Sequence, residues 1–236
     1  MKVSIIIPLY NLMHYVSETL NSAMNQVLGN DPYPNTEIIV INDASTDDSW
    51  AVVEEYMKRD SRIKGINLTE NVGLPAARNI AIAASTGDLI LPLDADDKID
   101  SHYLEKTVPK MTDGVGIVTT YMEIFGYWPE LTGHPGSGYP IFYPTKEQIL
   151  NGNCLPVCSL IRKQAIADVG GYPEVMKNGS EDWALWAAII CKTNWQVEVV
   201  KEYLFHYRTR PGSMSRQATM APFEESRARI RAMYGA

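Results

Sequence analysis

The sequence predicts an α/β fold with a mostly parallel central sheet flanked by helices. Short β-branched runs alternate with segments whose apolar residues recur at helical spacing, which is the pattern of strand–helix–strand units. Each of these runs ends in polar residues, as expected at the carboxyl edge of a parallel sheet, where ligands bind. The chain has 236 residues, enough to bury one sizeable core.

Composition argues against several kinds of protein. The net charge of −7 opposes a nucleic-acid partner, because a phosphate-binding surface needs an excess of Lys and Arg. No apolar run is long enough to cross a bilayer, and Pro8 interrupts the N-terminal run, which we interpret as a strand and not as a signal peptide. Neither G-x-G-x-x-G nor a P-loop motif occurs, which argues against the usual dinucleotide-binding fold.

The cysteine count bears on the compartment. The three cysteines are Cys154, Cys158 and Cys191, an odd number, and we expect them to be reduced in a cytoplasmic protein. The sequence leaves open whether the protein contacts the inner face of a membrane and whether it forms a homodimer.

Four strands and three helices are predicted in the first hundred residues. The strands cover residues 3–7, 37–41, 63–68 and 88–93, and Pro8 is expected to end the first of them. The first helix shows an apolar face at Val16, Leu20, Ala23 and Val27. The second shows one at Trp50, Val53 and Met57, and the third covers residues 76–84.

Three carboxylates follow the fourth predicted strand within four residues, namely Asp94, Asp96 and Asp97. Such a cluster is costly without compensation, because the charges repel one another. A hard divalent cation would remove that cost, since Mg²⁺ and Mn²⁺ prefer oxygen ligands. The alternative is a solvated acidic turn that caps the next helix.

The second half is less regular. A helix is predicted from about residue 103 to 111, strands at 116–121 and 154–161, a short helix ending at Gly170-Gly171, and paired strands at 195–200 and 203–207. Thr145 and Gln148 have capping-box spacing. Residues 126–144 are rich in Gly, Pro and aromatics, which favours a loop. Its aromatic residues would either stack on a bound ligand or pack as a flap on the core: Tyr127, Trp128, Tyr139, Phe142 and Tyr143.

Four ordered motifs make the resemblance to a known family specific. They are VSIIIPLYN, IIVINDASTDDS, NVGLPAARNIAI and GDLILPLDADD, with SEDWALW and HYRTRPGSMS further on. Together they resemble a family 2 glycosyltransferase with the GT-A fold. The resemblance implies one domain over residues 1–215, with a nucleotide-binding half at 1–100 and an acceptor half at 101–215, followed by a helical tail at 216–236.

The resemblance also implies a reaction. It is a metal-dependent, inverting transfer of a sugar from a nucleotide-diphospho-sugar, with UDP as the default nucleotide, to a carbohydrate or glycolipid acceptor. The cofactor would be Mn²⁺ or Mg²⁺, and the expected role is cell-surface polysaccharide or glycolipid synthesis. The alternatives are a non-catalytic nucleotide-sugar-binding subunit and a sugar nucleotidyltransferase, although the latter needs a glycine-rich basic loop that IIIPLYN lacks.

By the same resemblance, most of the candidate donor-site residues follow predicted strands. Asp43 would bond the base unless it only stabilises a turn, and Arg78 would shape the phosphate pocket unless it forms a structural ion pair. Asp96 would bind the metal with His206, unless that histidine is simply packed. The remaining candidates for the nucleotide-sugar site are Pro8, Leu9, Tyr10, Asn71, Asp94, Glu181 and Arg208.

The segment Ser180–Trp183 is the second chemical focus. Ser180 is a natural N-cap, so Glu181 and Asp182 fall in the first helical turn, where they would complement the helix dipole. The resemblance assigns Asp182 as the general base. The positive end of the helix is expected to lower its pKa, leaving it ionised but weakly basic until the acceptor hydroxyl begins to react.

Two groups of arginines lie near the C-terminus. Arg208, Arg210 and Arg216 flank the loop at 212–215, which would close over a diphosphate or stay solvated. A terminal helix carries Arg227, Arg229 and Arg231. These would reach a phosphorylated or lipid-linked acceptor or a membrane, or form a solvated face.

Overall fold

Strands and helices alternate through the first half, as predicted. A computed structural model describes residues 1–127, 138–139, 143–176, 179–211 and 220–235. The elements of the first half are β1 (Val3–Leu9), α1 (Val16–Met24), β2 (Val27–Leu28), β3 (Asp31–Pro32), β4 (Thr36–Asn42), α2 (Ser49–Arg59), β5 (Ile63–Asn67), α3 (Leu74–Ala84), β6 (Leu89–Pro92) and β7 (Lys98–Ile99). The prediction that the first helix reaches Val27 is wrong, because α1 ends at Met24 and Val27 pairs with Pro32 in a hairpin.

The second half adds longer strands and the helices that cover them. Its elements are α4 (Tyr103–Thr107), a 3₁₀ turn (Val108–Lys110), β8 (Val115–Gly126), β9 (Gly138–Tyr139), α5 (Lys146–Asn151), β10 (Leu160–Arg162), α6 (Lys163–Ala167), α7 (Glu181–Lys192), β11 (Gln196–Thr209) and α8 (Met220–Tyr234). Thr145 and Gln148 form the predicted capping box at the start of α5.

One mostly parallel sheet runs through the molecule. Its strand order is β5-β4-β1-β6-β10-β8-β11-β7, with β9 beside β8. The first four strands are parallel to one another, whereas β10 runs antiparallel between β6 and β8. β11 is parallel to β8 and carries β7 on its other side in antiparallel pairing.

Both faces of the sheet are covered, which explains why β1 and β4 are apolar without alternation. Successive side chains point to opposite faces. Ile5 and Ile7 therefore enter the core cluster that includes residues of α1 and α2. Ile6 enters the other cluster, with residues of α3 and α7. Full burial of each isoleucine contributes about 1.5–3 kcal/mol, so this sheet is well anchored.

The prediction that Pro8 ends the first strand is wrong, because β1 continues through Pro8 to Leu9 beside β4. The main chain of Ile6 accepts from Leu93 on the β6 side, and alternation turns the nitrogen of Pro8 to that side. β6 ends at Pro92, so at most one terminal ladder bond is lost. That loss of about 0.5–1.5 kcal/mol is smaller than the gain from burying the strand.

Three predictions for the second half need correction. The paired strands expected at 195–200 and 203–207 are a single strand, β11, whose register shifts after Val200 let the exposed Lys201 and Glu202 bulge outwards. The strand expected at 154–161 is confined to β10, because Pro156 lacks an N–H and its carbonyl is bonded by the Ser159 hydroxyl. In the predicted loop at 126–144, Gly138–Tyr139 pairs with β8 as β9.

Helix α7 is buried nearly all round and not on one face as predicted, because it packs against the sheet core and against α5, α6 and α8. Helix α8 begins beyond the boundary predicted at residue 215, and its Ile230 is fully buried in the same core cluster as α7. Among the described residues, none of the helices combines the length and apolar composition that a bilayer crossing needs.

Candidate active site

The parallel strands bring the predicted polar residues to one edge of the sheet. β4, β1 and β6 are adjacent and parallel, so Asp43, Tyr10 and Asp94 follow three neighbouring strand ends. Pro8 and Leu9 are buried, whereas Tyr10 is 48% exposed and presents its ring at this edge. The arrangement matches the expected ligand-binding edge of an open parallel sheet.

Asp43 holds the loop that precedes α3. Its two carboxylate oxygens accept from the N–H groups of Val72 and Gly73, at 2.7 and 3.0 Å. The side-chain amide of Asn71 in turn donates to the carbonyl of Asp43, at 3.0 Å. Gly73 has φ 88°, a left-handed value that favours glycine. Asp43 therefore stabilises a turn, and each of its oxygens retains acceptor capacity for one more bond.

Arg78 joins the two halves of the chain. Its guanidinium is fully buried and donates to Asp94, at 2.5 Å, and to Glu181. Burial lowers the pKa of Arg78, but the two carboxylates outweigh it and raise that pKa above its ordinary value. The guanidinium also lies over the ring of Tyr172, 5.3 Å from its centroid. This enclosure favours the ion-pair role for Arg78 over direct contact with phosphate.

The next residue, Asn79, clamps the same loop. Its side chain accepts from the Tyr172 N–H at 2.8 Å and donates to the Tyr172 carbonyl at 2.9 Å. A Cβ on Gly171 would lie 2.7 Å from the Asn79 oxygen, so glycine is required there. Arg78 and Asn79 thus both contact Tyr172, and they tie the first half of the chain to the loop after α6.

Two arginines at the end of β11 hold the acidic segment. The Nε of Arg210 bonds Asp96 at 2.5 Å, and the Nε of Arg208 bonds the Asp96 carbonyl at 2.6 Å. The Arg208 N–H donates to Asp97 at 2.7 Å. Burial, followed by the charge of Asp94, raises the pKa of Asp96 despite its arginine partner. Burial also raises the pKa of Asp97 well above its ordinary value.

The residues predicted to hold a metal are separately engaged. The Nδ1 of His206 lies 2.7 Å from Glu123 on the neighbouring strand, an interaction that fits the packed alternative. Within the described ranges, no three His, Cys, Asp or Glu side chains form a group that would enclose a cation. Asp94 and Asp96 nevertheless fit one in their chemistry, because they are oxygen donors whose mutual repulsion a cation would relieve.

Asp182 lies in the first turn of α7, and both of its oxygens are bonded. Oδ1 accepts from the Trp183 N–H at 2.7 Å, and Oδ2 accepts from the amide of Asn153 at 2.9 Å. Burial and then the charge of Glu181 raise its pKa to about 7, against the lowering effects of the Trp183 N–H, Arg78 and Asn153. The expectation that the helix end lowers this pKa is therefore wrong, because desolvation and Glu181 dominate.

Ser180 occupies the N-cap position of α7, as predicted, but it does not cap the helix with its side chain. Ser180 precedes α7 with φ 65°, and its side chain makes no capping bond. The Trp183 N–H is bonded instead by Asp182, a residue within the helix.

The structure brings most of the predicted residues to one place. Asp94 follows β6, and Glu181, the neighbour of Asp182, bonds the same guanidinium as Asp94. Asn153 and Tyr172 were not predicted, because neither stands in a motif and Asn153 meets Asp182 across 29 positions of sequence. Several predicted residues lie outside the described ones: Trp128, Phe142, the loop at 212–215, Arg216 and the side chain of Tyr139.

Comparison with solved structures defines the fold class. The crystal structure of S. aureus TarS in complex with UDP-GlcNAc has a TM-score of 0.76 at 24% identity, over 98% of this chain and 66% of that one. The mannosyltransferase PcManGT from Pyrobaculum calidifontis, in complex with GDP-Man and Mn²⁺, has a TM-score of 0.68 at 16% identity, over 92% and 59%. The sheet and its helices have the GT-A fold of glycosyltransferases.

Sequence comparison gives the family. Residues 4–170 match the model of glycosyl transferase family 2, and the chain belongs to this family. The poly(ribitol-phosphate) beta-glucosyltransferase of Bacillus spizizenii is 42% identical over 105 residues, which are 44% of this chain and 16% of that enzyme. The chain spans less than half the length of the curated relatives first matched. α7 and α8 lie beyond the family match.

Proposed function

We propose that the chain is a metal-dependent, inverting glycosyltransferase, moving a sugar from a nucleotide-diphospho-sugar to an acceptor hydroxyl. The observation that carries the proposal is the Arg78 bridge, which places the acidic segment after β6 and the first turn of α7 at one site. A donor held by the first would then lie within reach of a base on the second.

The donor would lie against the carboxyl edge of the sheet. Tyr10 offers an exposed ring to the nucleoside, and Asp43 has spare acceptor capacity for the N–H of a base. UDP is the nucleotide we favour, since the TarS structure contains UDP-GlcNAc. Asp94 and Asp96 would hold the divalent cation, which supplies charge neutralisation to the departing diphosphate. Arg208 and Arg210 border the same segment and offer guanidinium donors to phosphate oxygens.

Asp182 suits the role of general base. A carboxylate whose pKa is about 7 is both partly ionised and basic enough to accept a proton near neutral pH. In the proposed step, Asp182 takes the proton of the acceptor hydroxyl while the oxygen of that hydroxyl forms a bond to the anomeric carbon. The bond from that carbon to the diphosphate oxygen breaks on the opposite face, its electron pair leaves with the nucleoside diphosphate, and the configuration inverts.

The acceptor belongs to a broader class. A relative that glucosylates poly(ribitol-phosphate), together with family membership, supports a carbohydrate or glycolipid acceptor in cell-surface polymer synthesis. Manganese in the PcManGT structure supports the metal requirement. Peripheral membrane attachment of a cytoplasmic enzyme belongs to the same proposal.

The Asp182→Asn variant tests the base. We expect it to bind UDP with Mn²⁺ as tightly as wild type in calorimetry, and to lose transfer by about 10²–10⁴-fold, the usual contribution of a positioned base. Asp113→Asn, an exposed carboxylate in the turn before β8, is the matched control and should keep full activity. Near-normal transfer by Asp182→Asn would remove Asp182 from this role.

The Asp96→Ala variant tests the donor site independently of the chemistry. We expect UDP affinity in the presence of Mn²⁺ to fall, whereas the weaker affinity measured with EDTA should change little. Identical titrations of wild type and Asp96→Ala with Mn²⁺ present would contradict the assignment of Asp96 as a ligand.

A further inference from the structure

Asn153 is the one described side chain from outside α7 that bonds Asp182. Its Nδ2 donates to Oδ2 of Asp182 at 2.9 Å, while the Trp183 N–H bonds Oδ1. The orientation of the amide is fixed from the other end, because its oxygen accepts from the Leu155 N–H at 3.3 Å. The amide nitrogen must therefore face the carboxylate, so Asn153 makes a donor–acceptor contact of defined direction.

The segment that carries Asn153 is held by α5 and its neighbours. Carbonyls in the last turn of a helix lack partners within that helix. In α5, the Ile149 carbonyl accepts from the indole of Trp183 at 2.5 Å, and the Leu150 carbonyl accepts from Arg231 of α8 at 3.2 Å. Arg231 also bonds the side chain of Asn151. These contacts fix the end of α5 two residues before Asn153.

Helix α8 packs against Trp183, the residue that follows Asp182 in α7. The ring of Phe223 stacks on Trp183, with centroids 5.3 Å apart and planes at 20°. Ile230 is fully buried in the core cluster that contains α7. Arg229 bonds the Val175 carbonyl at 3.0 Å. Arg229 and Arg231, two of the three arginines predicted to reach an acceptor or a membrane, therefore hold α8 against the rest of the molecule.

The charged and titratable neighbours of Asp182 come from three parts of the molecule. Glu181 adjoins it on α7, the charge of Arg78 acts on it from α3, and Tyr172 lies in the loop after α6. Glu181 disfavours the ionised carboxylate, while Arg78 favours it. Asn153 is uncharged, and its N–H group favours the ionised form of Asp182, because a hydrogen bond to a carboxylate is stronger than one to a neutral carboxyl.

We propose that Asn153 is a positioning residue for Asp182: it fixes the direction of the carboxylate and stabilises its ionised form, and α8 holds the segment that carries it. The proposal rests on the base role proposed for Asp182 and adds a group that the family match does not assign. Asn153 does not need to touch either substrate, so its effect should fall on turnover and on pH dependence, not on donor binding.

The Asn153→Ala variant is the first test. In wild type, the logarithm of kcat/KM should rise with pH and level off near pH 7, where Asp182 ionises. In Asn153→Ala, this acid limb should move upward by about one pH unit, equivalent to a tenfold change in the ionisation constant. We expect kcat at pH 7 to fall roughly tenfold with UDP affinity unchanged. Asn153→Asp should move the limb further, because a second carboxylate repels the first.

Two comparisons guard against a trivial result. Asn30→Ala, in the exposed turn of the β2–β3 hairpin, makes the same chemical change away from Asp182 and should leave the pH profile unchanged. Asn153 is itself exposed, so its loss should spare the core, and Asn153→Ser provides a second variant that keeps a residue suited to a loop.

A titration without substrates separates this inference from the proposed function. The ¹³C carboxyl resonance of Asp182 should report a higher pKa in Asn153→Ala than in wild type, whether or not transfer is detected. If wild type transfers no sugar, the proposed function fails while the titration still tests Asn153. An unchanged Asp182 titration and an unchanged acid limb in Asn153→Ala, or an equal shift in Asn30→Ala, would overturn the inference.

Discussion

At the scale of single residues, the unusual feature is a buried positive charge shared by two acids. Arg78 has no exposed surface, and it bonds Asp94 and Glu181, which belong to different parts of the chain. Removing one partner of a buried ion pair costs more than the pair itself contributes, because the other charge is left without compensation. The site therefore depends on all three side chains together.

We expect Arg78→Met to lower the free energy of unfolding by about 3–5 kcal/mol, because it leaves the buried carboxylate of Glu181 without a counter-charge and removes the partner of Asp94. Urea denaturation measures the change. Glu181→Gln in the same chain should restore part of the loss, which a purely steric effect of methionine would not allow.

The matched control is a surface pair. Lys58→Met breaks the surface ion pair with Glu55, in which the Lys58 side chain is 68% exposed and the Glu55 side chain is 57% exposed. Its loss should leave the free energy of unfolding nearly unchanged, because solvent screens an exposed pair. An Arg78→Met protein as stable as Lys58→Met would contradict the structural weight given to the bridge.

At the scale of elements, Asp43 decides how the loop before α3 is held. The sequence left open whether Asp43 bonds a base or stabilises a turn, and the contacts with Val72 and Gly73 establish the second role without removing the first. The two roles separate in experiment, because a turn contact matters without any ligand.

We expect Asp43→Ala to lower the free energy of unfolding by about 1–2 kcal/mol in the absence of nucleotide, comparable to the loss of a helix cap. Denaturant titration measures it, and calorimetry with UDP measures the second effect, a loss of affinity. Unchanged stability with weakened UDP binding would mean that Asp43 contacts the nucleotide base and does not stabilise the turn.

The elements also explain what the sequence predicts well. β1 and β4 are predictable because each is a local β-branched run, and burial on both faces leaves little choice of structure. The sequence predicts two strands in place of β11 because Lys201 and Glu202 interrupt the apolar pattern. In the structure, β11 pairs with β8 on both sides of these two residues. The bond between Asn153 and Asp182 depends on packing between α5, α7 and α8, and no local pattern encodes it.

At the scale of the whole molecule, the ionisation of Asp182, the proposed general base, lowers stability as pH rises. Asp182 has a folded-state pKa of about 7 against an ordinary value of 3.8. Between these values the folded protein binds more protons than the unfolded chain, so the free energy of unfolding falls with increasing pH. The penalty is complete above the folded-state value and absent below the ordinary one.

We therefore expect Asp182→Asn to be more stable than wild type above pH 7, with a gap that closes as the pH falls toward about 4. Melting temperatures across this range measure it. Asp113→Asn, which removes an exposed carboxylate by the same chemical change, is the matched control and is measured over the same pH range. A gap that stayed constant from acid to neutral pH would mean that Asp182 titrates normally.

The Arg78 bridge has a consequence for recombining parts of such enzymes. It links positions 103 residues apart, one on each side of any boundary drawn between the donor-binding and acceptor-binding halves. A chimera that took its second half from another protein would inherit an interior cation, and it would need an acid at the place of Glu181 to fold well. Specificity for acceptors can then be exchanged between relatives only as blocks that carry their own counter-charge.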